Sequence, residues 1–207
     1  RTRHSMEVAV AQLGGHPVYT RGEEVGIDVR ETAEDVAQVM AGYHAFLGAR
    51  VFKHDVVQRM ASVSTVPVVN MLSDVAHPLQ ALADVLTMQQ QHGDVQGKRI
   101  AWVGDFNNVA RSLCEASAML GMHIRLGCPE GYDAHGNELL GLTELGAASV
   151  EQYRDVAIAV SGAHAVHTDT WTSMGQESES AEREAVFAGF EVTNEIMSLA
   201  DSRAIFM

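Results

Sequence analysis

The stretch that decides the fold runs from Lys98 to Gly127 and reads KRIAWVGDFNNVARSLCEASAMLGMHIRLG. Residues 98–105 predict a strand, residues 108–120 predict a helix that ends at Gly121, and residues 122–127 predict a second strand. Strands that alternate with helices in this way are typical of a parallel sheet. We therefore expect an α/β fold.

The same alternation extends along the rest of the chain. Helices are predicted over 5–13, from 32 to 40 or 43, over 153–163 and over 193–200, and strands over 17–20, 46–52, 66–70, 165–169 and 204–207. Residues 21–31 combine glycines with dense charge and predict a loop. A polar, glycine-containing segment at 93–97 predicts a boundary between two parallel-sheet α/β domains, 1–93 and 94–207.

Composition narrows the class of protein. The 207 residues include 27 acidic and 14 basic side chains, and the formal net charge of −13 argues against nucleic acid or an anionic membrane as a partner. No uninterrupted apolar run of about twenty residues is present, so we expect no membrane span. Cys114 and Cys128 are too few for a disulfide framework, which favours a cytoplasmic setting with both thiols in packing roles.

The segment His77 to Asp84, HPLQALAD, predicts the start of a helix. Proline is favoured at the first helical position, so Pro78 makes His77 the N-cap and Gln80 the third helical residue. At about 100° per residue His77, Gln80 and Asp84 share one side, which we expect to face a cleft. The side expected to pack on the sheet carries Leu79, Leu82, Ala83 and Leu86. The helix start favours an anion, and the alternative is a capped surface helix facing water.

Two cationic segments in the first half suit an anionic ligand. Arg1-Thr2-Arg3 precedes a predicted helix and offers two guanidinium groups and a hydroxyl for phosphate oxygens. Arg50 lies among apolar residues of a predicted buried strand, where an unpaired charge would be costly. We expect Arg50 to have a structural salt bridge or an anionic ligand, and its local sequence by itself favours the salt bridge.

Two segments in the second half follow predicted strands, where open α/β sheets bind ligands. WVGDFNN (102–108) lacks the G-x-G-x-x-G fingerprint of a dinucleotide site. It places four residues at a strand-to-helix turn, namely Gly104, Asp105, Asn107 and Asn108. TDTWTSMGQE (168–177) holds a carboxylate, a hydroxyl and a glycine-hinged loop that suit a zwitterionic amino acid. The alternative is that Asp169 caps a helix or a turn, that Trp171 and Met174 belong to the core, and that the following acidic segment is solvated.

The histidines and cysteines give no sign of metal or covalent chemistry. His164 and His167 are three residues apart, and an alternating strand turns them to opposite faces. No G-x-S-x-G elbow or reactive cysteine motif is present. We therefore expect no metal site and no covalent intermediate.

Taken in order, these segments resemble the ornithine carbamoyltransferases. The matching motifs are RTR at 1–3, ARVF at 49–52, HPLQALAD at 77–84, WVGDFNNVARSL at 102–113, GMHIRL at 121–126, DTWTSMGQE at 169–177 and AIFM at 204–207. The first motifs are shared with the aspartate carbamoyltransferases, whereas DTWTSMGQE is similar to the ornithine branch. The likeness covers almost the whole chain.

The resemblance implies a carbamoyl-phosphate domain and a Rossmann-like ornithine domain in a homotrimer with active sites at subunit interfaces. It implies carbamoyl transfer from carbamoyl phosphate to the side-chain amine of L-ornithine, giving L-citrulline and phosphate without a cofactor. By position, carbamoyl phosphate is assigned to Arg1, Thr2, Arg50, His77 and Gln80. Arg50 and His77 would be catalytic by polarising the carbonyl oxygen. Ornithine is assigned to Asn108, Asp169, Ser173 and Met174.

The chain departs from the family pattern at three places. The family's Ser-Thr before Arg1 and its His-Cys-Leu-Pro segment after Met207 are absent, so we expect a fragment that is inactive or nearly so by itself. Gly26 stands where relatives place a Gln or His that reaches the phosphate site of a neighbouring subunit. We hypothesise that Arg30 takes over that role.

Two other functions stay open from the sequence. One is a carbamoyltransferase for another amine such as putrescine, which DTWTSMGQE disfavours because a diamine has no carboxylate for that loop to hold. The other is a non-catalytic relative that acts as a binding or interaction protein. Gly26 and the incomplete ends favour it, whereas it is opposed by the joint presence of Arg1, Arg50, His77, Gln80 and Asp169.

Overall fold

The structure is a computed structural model that describes residues 1–172 and 177–207. By contacts, the chain divides into two compact units, Arg1–Val75 and Ala76–Met207. Among the described residues, none of the helices combines the length and the apolar character needed to cross a membrane.

The first unit is built on two parallel strands and the helix that connects them. Its elements are α1 (Thr2–Gln12), α2 (Gly22–Val25), α3 (Ala33–Ala41), β1 (Leu47–Arg50), α4 (His54–Val63) and β2 (Val68–Leu72). Strands β1 and β2 pair in parallel, so α4 is their crossover connection. The core lies among α3, β1 and α4 and consists of Ala33, Ala37, Leu47, Ala49, Val56, Val57 and Met60.

The second unit holds a five-stranded parallel sheet. Its elements are α5 (Pro78–His92), β3 (Arg99–Val103), α6 (Asn108–Met119), β4 (His123–Gly127), α7 (Gly136–Glu144), β5 (Ser149–Tyr153), α8 (Val156–Val160), β6 (Ala165–Thr168), a 3-10 turn (Glu177–Glu179), α9 (Ser180–Phe187), α10 (Asn194–Met197) and β7 (Ile205–Phe206). The strand order is β5-β4-β3-β6-β7, and every pairing is parallel. The predicted α/β class with parallel sheets is confirmed.

Alternation along β3 explains why helices cover both faces of this sheet. Ile100 and Trp102 join the core beneath α5 and α6, and Ala101 and Val103 join a second core beneath α8 and α10. All four are buried, as expected for a central parallel strand with both faces covered. Because β3 and β6 pair in parallel, their carboxyl ends lie at the same edge of the sheet, where ligands bind in open α/β folds.

Helix α5 starts as predicted but buries a different side. His77 is the N-cap and Pro78 the first helical residue. The expectation that the leucines pack on the sheet is wrong, because Leu82 and Leu86 are 61% and 53% exposed. The buried side consists of Ala81, Asp84, Val85 and Met88. The helix is apolar on two sides, so its periodicity alone does not fix the buried one, and Asp84 tolerates burial because it has hydrogen-bond partners.

Helix α5 also determines at which residue the chain passes from the first unit to the second. It packs against α6, so contacts assign it to the second unit. The predicted division into 1–93 and 94–207 instead follows the polar segment after this helix, and it stays a prediction.

Several other elements differ from the sequence-based expectations. Residues 17–20, predicted as a strand, have no regular structure, and the predicted loop over 21–31 contains the single turn of α2. The helix predicted over 153–163 begins only after β5, because the Asp155 side chain accepts a hydrogen bond from the Ala157 N–H and caps the shorter α8. Helices α4, α7 and α9 are not among the predicted elements.

Candidate active site

The carboxyl end of β1 brings two of the predicted carbamoyl-phosphate residues together. Arg50 is the last residue of β1, and its guanidinium donates a hydrogen bond to the hydroxyl of Thr2, which opens α1. Arg1 is the exposed N-cap residue of the same helix. A cation, a hydroxyl and a helix N-terminus in this arrangement suit the oxygens of an anion.

The expectation that Arg50 is buried is wrong. Strand β1 alternates buried Leu47 and Ala49 with exposed Gly48 and Arg50, so the guanidinium leaves the strand on the solvent side. Within the described part of the chain, the ion pairs do not include Arg50. Its positive charge is therefore available to a ligand, and the structural salt bridge favoured by its local sequence is not formed among these residues.

A histidine fixes the turns that follow β1 and β2. The His54 Nδ1 atom lies 2.8 Å from the Ser73 hydroxyl, and the His54 backbone N–H donates to an Asp74 carboxylate oxygen at 2.9 Å. These contacts link the turn after β1 to the turn after β2 and so fix the backbone just after Arg50. The three residues are not among the predicted ligands, although polar side chains directly after short buried strands are the signal that marks such turns.

In the second unit, the start of α5 adjoins the first turns of α6. The backbone N–H of His77 donates to the Ser112 hydroxyl at 2.9 Å, and Ser112 lies one helical turn after Asn108. Gln80 is exposed, and its amide nitrogen donates to an Asp84 carboxylate oxygen at 2.9 Å. A predicted carbamoyl-phosphate residue, His77, and a predicted ornithine residue, Asn108, thus belong to adjoining helix starts.

Asp169 directly follows β6 and is held by two hydrogen bonds. One carboxylate oxygen accepts from the Asn107 side-chain amide at 3.0 Å, and the other accepts from the Thr170 backbone N–H at 2.8 Å. The Asn107 carbonyl oxygen accepts from two backbone N–H groups of the first turn of α6. Asn107 therefore uses both ends of its side-chain amide to fix Asp169 relative to α6, beside Asn108. The sequence placed Asn107 at this turn but did not assign it to a ligand.

An open cavity of about 420 Å³ lies at Asp169. Its lining consists of Asp169, Thr170, Trp171, Thr172, Ser180 and Glu184. Among the described residues, this lining has two carboxylates, three hydroxyls and no basic side chain, which suits a cationic group such as an ammonium. Ser173 and Met174, the other predicted ornithine residues, lie outside the described residues.

Arg183 of α9 contacts, from the protein interior, the turns that follow β3 and β6. It is buried, and its guanidinium donates to the Asp105 carboxylate and to the Trp171 carbonyl. Its central carbon also lies 4.7 Å from the centroid of the Tyr132 ring and 5.4 Å from that of Phe187. Burial raises the pKa of Asp105, and the nearby guanidinium opposes that rise. Arg183 is not among the predicted ligands, because its surrounding acidic sequence favours a solvated face.

Cys114 and Cys128 are both buried and free, so their predicted packing role is confirmed. Burial raises the pKa of Cys128 to about 12 and raises the pKa of Cys114 as well. Neither thiol is therefore poised to ionise as a nucleophile.

Two family models match the chain. The aspartate/ornithine carbamoyltransferase carbamoyl-P binding domain matches residues 1–90, and the aspartate/ornithine carbamoyltransferase Asp/Orn binding domain matches residues 96–207. The chain belongs to this family.

Named relatives place it closer to the ornithine branch of that family. The ornithine carbamoyltransferase of Thermus thermophilus is 45% identical over the whole chain, which covers 67% of that protein, and that of Parasynechococcus marenigrum is 44% identical, with 66% covered. A solved ornithine carbamoyltransferase from Pyrococcus furiosus has a TM-score of 0.92 at 40% identity, over 100% of this chain and 67% of that one. The chain thus spans about two thirds of the length of these carbamoyltransferases.

These comparisons confirm the resemblance drawn from the motifs. Both family models and the named relatives support an enzyme that transfers the carbamoyl group of carbamoyl phosphate to ornithine. Of the predicted ligand residues, Arg1, Thr2 and Arg50 belong to the first unit, whereas His77, Gln80, Asn108 and Asp169 belong to the second.

Proposed function

We propose that this protein is an ornithine carbamoyltransferase in which Asp169 binds the α-ammonium group of L-ornithine. The observation that carries the proposal is the Asp169 carboxylate, which Asn107 fixes beside a cavity lined by carboxylates and hydroxyls. A fixed carboxylate attracts an ammonium without first having to be ordered. Asn108 would bind the amino acid from the adjoining helix start, and Ser173 and Met174 would hold its carboxylate.

Carbamoyl phosphate would be bound by Arg1, Thr2, Arg50, His77 and Gln80. The bond from the Arg50 guanidinium to the Thr2 hydroxyl supports this assignment, because it groups a cation and a hydroxyl at a helix N-terminus. Arg1 and Thr2 would receive the phosphate, and Arg50 and His77 would polarise the carbonyl oxygen. Gln80 would contact the carbamoyl group.

In the reaction, the uncharged side-chain amine of ornithine attacks the carbonyl carbon of carbamoyl phosphate and forms a tetrahedral adduct. Arg50 and His77 stabilise the negative charge on its oxygen. The C–O bond to phosphate then breaks, phosphate leaves with the bonding electron pair, and the amine nitrogen transfers a proton to the departing phosphate to give citrulline. Loss of one such donor costs about 3 kcal/mol in the barrier. Positioning and charge stabilisation account for the catalysis, and no cofactor takes part.

We also propose that the protein forms a homotrimer in the cytoplasm, in which Arg30 reaches the phosphate site of the neighbouring subunit in place of the side chain missing at Gly26. Gly26 has a φ of +65°, and a Cβ added there would lie 3.0 Å from Cγ and Cδ of Arg30. The Arg30 side chain therefore lies against the place where a side chain at position 26 would begin, which supports Arg30 as the replacement. Arg30→Ala in the full-length protein should weaken binding of carbamoyl phosphate, whereas Arg203→Ala, at an exposed site in the other unit, should not. Unchanged affinity in Arg30→Ala would dismiss this role.

A citrulline assay on the full-length protein tests the function. We expect product with ornithine and none with putrescine or aspartate. Asp169→Asn should raise the KM for ornithine at least tenfold and leave the KM for carbamoyl phosphate unchanged, because a charge-assisted hydrogen bond is lost at one substrate only. Asp155→Asn is the matched control, since asparagine caps α8 as well as aspartate does. Equal turnover of putrescine, or no citrulline from the wild type, would refute the assignment.

A further inference from the structure

A buried histidine and a buried carboxylate lie behind Gln80 in the second unit. The side chains of Asp84 and His167 are each 9% exposed, and His167 Nε2 lies 3.1 Å from Asp84 Oδ2. Gln80 Nε2 donates to the other oxygen, Asp84 Oδ1, at 2.9 Å. These three side chains form a continuous hydrogen-bonded chain from β6 to the first turns of α5. The reaction derived above assigns nothing to Asp84 or His167.

The carboxylate determines how each neighbour is oriented. The two oxygens of Asp84 accept from different neighbours: the Gln80 side-chain NH₂ group donates to Oδ1, and the His167 tautomer with its proton on Nε2 donates to Oδ2. The amide of Gln80 is thereby fixed with its nitrogen towards Asp84 and its carbonyl oxygen on the other side. Without such a partner, the two ends of an exposed glutamine amide exchange places freely.

His167 itself is held by the core. Its ring stacks on the indole of Trp102 with 5.0 Å between ring centroids and 21° between planes. Trp102 is 1% exposed, and its indole N–H donates to the Asp105 carbonyl at 2.9 Å. The histidine therefore has little freedom to turn away from Asp84. The orientation of an exposed side chain is set by a rigid anchor inside the sheet.

We propose that Asp84 and His167 are positioning residues that hold Gln80 in its ligand-binding orientation before carbamoyl phosphate arrives. The inference rests on the proposed function, which assigns Gln80 to that substrate. Neither positioning residue touches the ligand. Ordering a free side chain on binding reduces affinity, so a glutamine that is already ordered strengthens binding.

The test measures the dissociation constant of carbamoyl phosphate by calorimetry on the full-length protein without ornithine. His167→Phe keeps a ring on Trp102 and removes the donor, and we expect the dissociation constant to rise about 3- to 10-fold. His167→Gln restores an N–H donor and should recover most of the affinity. The matched control is His123→Phe, which removes a ring nitrogen bonded to Ser149 at the amino end of β4 and should leave the affinity unchanged.

A cycle with Gln80→Ala separates positioning from a purely structural effect. If His167 acts through Gln80, His167→Phe changes nothing further in the Gln80→Ala background. A purely structural role lowers the unfolding midpoint and leaves the dissociation constant of the folded protein unchanged. If His167→Phe does not fold, Asp84→Asn replaces it with the same expected rise, because its single side-chain oxygen cannot accept as both carboxylate oxygens do.

The possible results separate the two ideas. A wild type that does not bind carbamoyl phosphate overturns the proposed function. A wild type that binds, together with an unchanged affinity in the positioning variant or an equal fold-change with and without Gln80, overturns the positioning inference alone.

Discussion

Replacing Arg183 by methionine tests whether the buried guanidinium stabilises the turn after β3. The side chains of Arg183 and Asp105 are 3% and 16% exposed, so water screens their attraction little. Removing one partner of a buried ion pair leaves an uncompensated charge and costs about 3–5 kcal/mol. Because Asp105 keeps some contact with solvent, we expect Arg183→Met to lower the free energy of unfolding by about 3 kcal/mol.

The double variant Arg183→Met/Asp105→Asn is the control. It removes both charges, so no buried carboxylate is left without its partner, and it should recover more than half of the loss. Urea unfolding followed by tryptophan fluorescence measures both variants at constant m-value.

The loss of stability in Arg183→Met depends on pH through the pKa of Asp105. Burial raises the pKa of Asp105 above 3.8 even beside Arg183, and loss of the guanidinium raises this pKa further. A carboxyl group with a raised folded-state pKa supports folding fully below its unfolded value, and this support is lost as the pH rises through the folded value. The loss in Arg183→Met should therefore shrink as the pH falls from 7 towards 3.8. A loss below about 1 kcal/mol, as for surface pairs, or one equal at all pH values, would refute the reasoning.

Three further substitutions test other features. Gly26→Ala should lower the free energy of unfolding by about 1–2 kcal/mol, because it forces a Cβ into a left-handed conformation, and calorimetric unfolding measures this. Asn107→Ala should cost about 1 kcal/mol through the lost cap of α6 and should also raise the KM for ornithine, so an unchanged KM would count against the role of its contact with Asp169. Met88→Ala, at 1% exposure, should lower the free energy of unfolding by about 2–5 kcal/mol, whereas Leu86→Ala, at 53% exposure, should lower it by under about 1 kcal/mol. The reverse order would indicate that the leucine side of α5 is the buried one.

Helix α5 shows where local sequence information ends. Its start at Pro78 could be predicted because the fixed φ of proline and its missing N–H act within one turn. Its buried side could not, because apolar residues lie on two sides and an aspartate lies among the buried ones. The deciding partner of Asp84 is His167, which is 83 residues further along the chain. Only a folded sheet brings the two together.

The candidate site divides in the same way. The motifs name Arg50, His77 and Asp169, because the residue types that bind phosphate or ammonium are visible without coordinates. The exposure of Arg50 follows from the register of β1, where Leu47 and Ala49 take the buried positions. In a strand, alternate residues point to opposite faces, and which of the two faces is buried depends on what packs against the strand.

The sequence by itself determined the family, the α/β class and the helix start at His77, because these depend on residue types at short spacings. Only the tertiary structure decided that Asn107 fixes Asp169 and that Arg183 holds the turn at Asp105. Each of these contacts joins residues more than sixty positions apart. The first contact exists because the parallel strands β3 and β6 bring their carboxyl ends to one edge of the sheet. The second exists because α9 packs against the turn after β3. No local pattern specifies either.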